Sequence, residues 1–95
     1  FNHSILNNFN IDKYFFSATG LSIDSGFSET NLMEVKNKRE NVLNSKQTIA
    51  LIDHTKFNQD SAYTFCTLDE VDYLITDDTL SESIKQFYKD RIQLI

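Results

Sequence analysis

The chain has 95 residues, of which 40% are hydrophobic and 13% aromatic, and its formal net charge at pH 7 is -5. This length allows one domain or part of one, and the composition is sufficient for a modest hydrophobic core. The negative charge argues against a nucleic-acid-binding surface within these residues, because phosphate neutralisation requires clustered Lys and Arg side chains.

Cysteine content and the length of the apolar runs restrict the cellular setting. The single cysteine, Cys66, cannot form an internal disulfide, so we expect a reducing, cytoplasmic location. No apolar run approaches the roughly 20 residues that span a bilayer, and no signal-peptide pattern is present, so we expect no membrane contact. The chain opens on Phe1 instead of Met, and we interpret it as an excerpt of a longer protein.

The first third of the chain predicts a helix end, a strand and a loop. Apolar residues in the range 1–10 recur at a spacing that suits the end of an amphipathic helix, and the aromatic run 14–18 is typical of a strand. We predict a loop over 21–30, in a region that holds the only two glycines, Gly20 and Gly26. A pair of tight turns and a backbone that approaches a ligand both explain these glycines, and the sequence leaves that choice open.

The range 30–44 predicts a helix, with Thr30 or Ser28 as its N-cap. Glu34 and Lys38 are spaced i, i+4 on this helix, which is typical of an exposed ion pair worth about 0.3 kcal/mol. The side chains predicted to face the core are Leu32, Val35 and Leu43.

The range 48–57 has the clearest pattern in the chain. An uninterrupted apolar run, TIALI, ends at Asp53, which predicts a buried parallel strand followed by a polar loop that carries His54, Lys56 and Phe57. Ligands of open α/β sheets bind beyond the carboxyl ends of the strands. We therefore predict that the loop from Asp53 to Phe57 is part of a ligand site, although a lone loop histidine is usually just solvated.

The remaining residues predict a short strand at 62–66, a helical turn at 68–71, a strand at 72–76, a helix from Ser81 to about Asp90, and a last strand at 92–95. The apolar face of this second helix is predicted to consist of Ile84, Phe87 and Tyr88. The alternation of elements predicts an α/β fold with a mainly parallel sheet flanked by helices.

Asp53 and the pair Asp77 and Asp78 each follow an apolar strand, so their carboxylates converge if the two strands are neighbours. Phosphoacceptor receiver domains place an acidic pair before the single aspartate, which is the reverse order. Haloacid-dehalogenase-type phosphatases separate two aspartates by one residue, whereas these are adjacent. We interpret the pair as the approach to the next helix. Without a catalytic triad, metal cluster or P-loop pattern, we expect neither an enzyme nor a metal or cofactor.

Four motifs, in order, resemble the C-terminal sensor domain of DeoR-type bacterial transcription regulators: IDKYFFSATGLS, SGFSETNLME with KR four residues on, TIALIDHTKF and VDYLITDDTL. The resemblance covers 11–95. It implies the sugar-phosphate isomerase and CoA-transferase fold, and a non-catalytic domain that binds a phosphorylated sugar or a related metabolite. It further implies self-association, and DNA binding only through a winged helix-turn-helix domain that is absent from this sequence.

The same resemblance implies that the family's first sensor strand, with its phosphate-binding loop, lies upstream of Phe1, so that residues 1–95 form a partial effector-sensing domain. The effector-binding residues that it implies are Asp12, Gly20, Gly26, Ser28, Glu34, Lys38, Arg39, Asp53, Lys56 and Phe57. Two positions depart from the family pattern. Ser28 replaces the usual Thr and keeps the hydroxyl, and Ser17 replaces the usual Gly, which reshapes the loop below it.

Two other functions remain open at this point. A sugar-phosphate isomerase of the same fold needs a base within hydrogen-bond reach of its substrate, and His54, Glu34 or Asp53 are the possible choices. A protein–protein interaction module without any sugar-phosphate ligand is the third possibility, because fold alone does not define function.

Overall fold

The structure of the protein, a computed structural model, describes residues 10–95. The helix end predicted over 1–10 lies outside the described residues, except for Asn10. Within the described part of the chain, no helix has the length and apolar character needed to cross a lipid bilayer.

Residues 10–95 form seven strands: β1 (Ile11–Phe16), β2 (Gly20–Ser22), β3 (Gly26–Glu29), β4 (Ser45–Leu51), β5 (Tyr63–Cys66), β6 (Tyr73–Ile75) and β7 (Gln93–Leu94). The α-helices of the same range are α1 (Leu32–Leu43) and α2 (Glu82–Lys89), and its single-turn 3-10 helices are η1 (His54–Lys56) and η2 (Leu68–Glu70).

The main sheet is parallel throughout and has the strand order β1-β4-β6-β7. Phe16 pairs with Ala50, which in turn pairs with Leu74. Strands β1, β4 and β6 therefore lie side by side in the core. This arrangement confirms the predicted α/β class with a mainly parallel sheet. Each successive parallel strand is added on the same side, so right-handed connections place the intervening segments on one face of the sheet.

The two faces of the main sheet differ because the described connections cover only one of them. Phe16, Ala50 and Leu74 lie in the hydrophobic core, whereas Phe15 and Leu51 on the alternate positions are 56% and 45% exposed. The prediction of a continuously buried strand is therefore correct for Ala50 and wrong for Leu51. A parallel sheet is fully buried only when helices cover both of its faces.

A second, antiparallel sheet has the order β2-β3-β5. The prediction of a loop over 21–30 is wrong here, whereas the short strand predicted at 62–66 is observed as β5 of this sheet. Leu21 pairs with Phe27 in a tight hairpin, and both side chains are fully buried. Gly26 adopts φ +84, and a Cβ atom there would lie 2.3 Å from the Cys66 carbonyl oxygen. The segment 20–29 looks irregular in sequence because it contains both glycines. It forms strands because β3 pairs with β5, which is distant in the chain.

Helix α1 begins after Asn31, whose side chain accepts hydrogen bonds from the backbone amides of Met33 at 2.8 Å and Glu34 at 3.4 Å. The predicted N-caps were therefore wrong: Ser28 belongs to β3, and the nearer Asn31 supplies the side-chain oxygen.

The buried stripe of α1 also differs from the prediction. Val42 is 7% exposed, while Leu32 and Leu43 are 49% and 60% exposed. Val35 packs partly against the core as expected. Successive residues of a helix are rotated by about 100° around its axis. Because Val42 faces the core, the next residue, Leu43, points away from it.

Helix α2 has the predicted N-cap, and Ile84 and Tyr88 face the core as predicted, but the placement of Phe87 on its apolar face is wrong. Ser81 is its N-cap, and its hydroxyl accepts from the Ile84 amide at 3.4 Å. Tyr88 is fully buried and packs edge-on against Phe57 with ring centroids 4.9 Å apart, whereas Phe87 is 70% exposed. Helix α2 therefore packs against Phe57, the residue that directly follows η1.

The rotation of α1 can be tested by truncating adjacent side chains. We expect Val42→Ala to lower the free energy of unfolding by about 2 kcal/mol, because it removes buried methyl groups. Leu43→Ala, the matched control, should change it by less than about 0.5 kcal/mol, because that side chain is exposed. Urea denaturation measures both, and a larger loss for Leu43→Ala would contradict the observed orientation.

Candidate functional site

Two neighbouring segments meet at the carboxyl edge of the parallel sheet. Strand β4 continues through Ile52 to Asp53, and β6 continues through Thr76 to Asp77. The Ile52 amide donates to the Ile75 carbonyl at 3.0 Å, so these two strands end at the same level. The predicted convergence of the acidic groups that follow them is therefore confirmed for Asp53 and Asp77.

Asp77 is bound to His54 through two hydrogen bonds. Its Oδ2 accepts from the His54 backbone amide at 3.0 Å and lies 3.0 Å from the His54 Nδ1. These bonds lower the pKa of Asp77 from 3.8 to about 2. Asp77 is thus a carboxylate at neutral pH and has no proton to donate, so the His54 Nδ1 is the donor in this contact.

Asp53 is the N-cap of η1. Its Oδ1 accepts from the Thr55 amide at 2.8 Å and from the Thr55 hydroxyl. These hydrogen bonds, and more weakly the positive charge of Lys56, lower the pKa of Asp53 below its ordinary value. Asp53 is exposed, and one of its carboxylate oxygens lies within 4.8 Å of the ligand atoms of His54 and Asp77.

The cluster formed by Asp53, His54 and Asp77 presents hydrogen-bond acceptors at one point. One ligand atom from each residue lies within 4.8 Å of the others. Carboxylates and imidazole also bind divalent cations, but here Asp77 and His54 already satisfy one another. The arrangement is suited to accepting hydrogen bonds from the hydroxyl groups of a small polar ligand.

Two clefts adjoin this cluster. The first has a volume of about 360 Å³ and is lined by 51–53 and 75–77. The second, of about 280 Å³, shares Thr76 and Asp77 with the first and is also lined by Lys85 and Lys89 of α2. The buried Thr76 hydroxyl has no hydrogen-bond partner among the described residues. A buried polar group without a partner is unusual, and this one belongs to a residue that lines both clefts.

Lys38 of α1 reaches the same edge at the end of β1. Its ammonium donates to the Ser17 carbonyl at 2.5 Å and to Glu29 at 2.5 Å, and it lies 3.9 Å from Glu34. Lys38 therefore lies at the end of β1, but the buried carboxylate of Glu29 neutralises its charge there.

Several sequence-predicted site residues lie elsewhere. Arg39 binds Glu70 at 2.7 Å and the Phe65 carbonyl at 3.1 Å, on the connection that precedes β6. Asp12 lies near the amino end of β1, 3.5 Å from Lys46. Phe57 is 4% exposed and belongs to the core. These three side chains are not brought to the carboxyl edge.

The glycines and Ser28 shape the antiparallel sheet beside the edge. A Cβ atom at Gly20 would lie 2.6 Å from the Gln59 carbonyl oxygen, and the fully buried Ser28 hydroxyl accepts from the Ser61 amide at 2.9 Å. Lys56 lies next to Asp53 in η1, and Glu34 is exposed on α1.

Sequence reasoning gave too little weight to two residues and did not consider a third. His54 looked like a solvated loop histidine, Asp77 looked like a helix approach, and Thr76 carried no signal. Asp77 does also approach a helix, because its Oδ1 accepts from the Thr79 amide at 2.9 Å. The available signal was the shared position of Asp53 and Asp77 after adjacent apolar strands.

Comparison with known proteins gives a consistent result. The family model of the DeoR C-terminal sensor domain matches residues 1–78. The chain is similar to the HTH-type transcriptional regulator GolR of Listeria innocua, at 29% identity over 87 residues, covering 92% of this chain and 34% of that protein. It is also similar to the HTH-type transcriptional repressor GlcR of Bacillus subtilis, at 35% identity over 72 residues, covering 76% of this chain and 28% of that protein.

A third relative is the glycerol-3-phosphate regulon repressor of Escherichia coli, at 28% identity over 90 residues, covering 94% of this chain and 36% of that protein. The chain thus spans about a third of the length of the curated relatives it matches. The names of these relatives are those of regulators and the matched family is a sensor domain, which supports a non-enzymatic role.

The Asp77–His54 contact predicts a specific acid response. A carboxyl whose folded pKa lies near 2 stabilises the fold above its ordinary pKa of 3.8, and this contribution is lost as the pH falls from about 4 to about 2. We expect Asp77→Asn to reduce the pH dependence of the free energy of unfolding in this window. Urea unfolding at a series of pH values measures it, with Asp78→Asn as control. Parallel curves for Asp77→Asn and wild type would contradict the assignment.

Proposed function

Because the chain belongs to the DeoR C-terminal sensor domain family, we propose that it is the effector-sensing part of a bacterial transcription regulator of carbohydrate metabolism. The effector is a phosphorylated sugar or a related polyol phosphate. It binds at the carboxyl edge of the parallel sheet, in the cytoplasm, and DNA contact belongs to a winged helix-turn-helix domain outside this sequence. The name of the glycerol-3-phosphate regulon repressor supports this class of effector.

The convergence of Asp53, His54 and Asp77 is the observation that carries the proposal. Two ionised carboxylates and an imidazole accept hydrogen bonds, and the hydroxyl groups of a polyol donate them. The adjoining clefts of about 360 and 280 Å³ are at the lower end of the size range of small-molecule sites.

The charges at the edge set the orientation of the proposed effector. A phosphate group would be repelled by Asp53 and Asp77, so the hydroxyl end of the effector faces these carboxylates. Lys56 lies beside Asp53, so the phosphate lies toward Lys56. The second cleft also offers Lys89, but Asp78 and Glu82 line the same cleft and Lys85 lies 3.5 Å from Glu82. The phosphate-binding loop that the family resemblance places upstream of Phe1 supplies the further contacts of the phosphate.

The proposed mechanism is a shift between two arrangements of a self-associated regulator. Effector binding favours the arrangement in which the loops at the carboxyl edge are ordered, and this alters the geometry of the attached DNA-binding domains. A coupling free energy of about 1–3 kcal/mol is typical of such a response. The isomerase alternative has no support from the relatives named above, which are all regulators or repressors.

The site can be tested by a thermal-shift screen of the full-length protein against phosphorylated sugars, glycerol 3-phosphate included. A ligand at about 100 times its Kd should stabilise the protein by about 2.7 kcal/mol and raise its Tm accordingly. We expect Asp53→Asn to reduce this shift, because a neutral amide accepts the effector's hydroxyl hydrogens less strongly than a carboxylate does.

Asp12→Asn is the matched control, because Asp12 is an exposed aspartate at the opposite end of β1. An equal loss of ligand-induced stabilisation in the two variants would contradict a site at the carboxyl edge. The absence of a shift with every phosphorylated sugar would contradict the effector class and favour a protein–protein module.

Thr76→Val separates binding from stability. The valine removes a buried hydroxyl that has no partner in the described residues, so the free energy of unfolding should stay constant or rise by about 1 kcal/mol. The ligand-induced Tm shift should fall, because Thr76 lines both clefts and its hydroxyl, unpaired among the described residues, is free to bond a ligand group. Thr79→Val, at an exposed position, is the control, and an undiminished shift in Thr76→Val would remove Thr76 from the site.

A further inference from the structure

Glu29 carries a buried charge that neither the sequence nor the family resemblance assigns to a role. It is the last residue of β3 and is 6% exposed. Its carboxylate lies 2.5 Å from the Lys38 ammonium, and the side chains of Lys38 and Glu29 are 13% and 8% exposed. Burying two charges costs desolvation energy, so such a pair is retained where its geometry serves a purpose or is compensated by further hydrogen bonds.

The Lys38–Glu29 pair contacts the backbone of Ser17, which directly follows β1. Lys38 donates to the Ser17 carbonyl at 2.5 Å while Glu29 holds its ammonium in place. The Phe65 ring centroid lies 5.5 Å from the same nitrogen, so apolar surface confines it further. On the other side of this loop, the Thr19 amide donates to the Ser28 carbonyl at 3.1 Å. The segment 17–20 is thus held from both α1 and β3.

We propose that Glu29 is a positioning residue for the candidate site: it directs the Lys38 ammonium onto the Ser17 carbonyl and so fixes the loop 17–20 at the carboxyl edge of the sheet. The same contact keeps Lys38 from acting as a ligand of the effector's anionic group. This inference rests on the proposed function only in calling the loop part of an effector site. The loop's dependence on Glu29 is independent of any ligand.

Glu34 provides an internal comparison. It is on the same helix and its carboxylate lies 3.9 Å from the same Lys38 nitrogen, but its side chain is 57% exposed. Solvent screens such a contact, so it contributes little to holding the ammonium. If only the negative charge near Lys38 mattered, removing the charge of Glu29 or of Glu34 would have the same effect on the loop. If Glu29 positions Lys38, only the change at Glu29 affects the loop.

Amide hydrogen exchange of the full-length protein tests the positioning role directly. We expect Glu29→Gln to accelerate hydrogen exchange of the Thr19 amide by at least about tenfold, measured as the ratio of its exchange rate to that of the Ile52 amide. Ile52 is a suitable reference because it lies at the same edge, directly after β4. Lys38→Met and the charge-free double variant Glu29→Gln with Lys38→Met should have the same local effect. The double variant also covers the case in which the lone buried Lys38 prevents Glu29→Gln from folding. Glu34→Gln should leave the ratio unchanged.

Two outcomes of this measurement overturn the proposal. An unchanged ratio in the Glu29 and Lys38 variants means that the pair does not hold the loop. Equal acceleration at Thr19 and Ile52 means that the pair contributes only to global stability.

A titration with glycerol 3-phosphate supplies the functional readout. If Glu29 positions the loop, Glu29→Gln weakens binding several-fold. If Glu29→Gln strengthens binding, the released Lys38 is a direct anion ligand and the proposal is overturned. If the wild-type protein does not bind this ligand, the proposed function fails for it, while the exchange ratio still decides the role of Glu29.

Discussion

The parallel pairing of β4 with β6 is the constraint on which the candidate site depends. These strands share one register, with Leu51 opposite Ile75, and the next amide along, that of Ile52, is bonded to the Ile75 carbonyl. Because both strands run in the same direction, the residues that follow them leave the sheet at one edge. The His54 amide then donates to Asp77, which locks the two loops together. Backbone pairing in the core therefore brings together side chains that are far apart along the chain.

Charge pairing determines which of the basic residues remain available at this edge. Lys38 and Arg39 are adjacent in sequence, but they bind different carboxylates, those of Glu29 and Glu70 respectively. The neutralisation of both explains why positive charge near the proposed site comes from other lysines. The cleft beside α2 carries both signs of charge, because Asp77, Asp78 and Glu82 line it together with Lys85 and Lys89.

Local sequence signals predicted most of the secondary structure and failed where pairing is long-range. The Ser81 cap and the inward positions Ile84 and Tyr88 of α2 were correct because capping and helical periodicity act over a few residues, whereas Phe87 was wrongly placed on the apolar face. The hairpin β2–β3 was missed because its strands are stabilised by β5, more than thirty residues later in the chain. The buried stripe of α1 was placed on Leu43 instead of Val42, since a helix with several apolar positions does not reveal which of them meets the sheet.

The sequence by itself determined the α/β class, the family, and the presence of a carboxylate immediately after two apolar strands. Those features depend on composition, periodicity and motif spacing, which are properties of contiguous residues. Only the tertiary structure decided that Asp77 joins His54, that Arg39 and Phe57 lie away from the edge, and that Glu29 holds Lys38. The reason is physical: strand order and helix rotation set the distances between these side chains, and both follow from packing of the whole core.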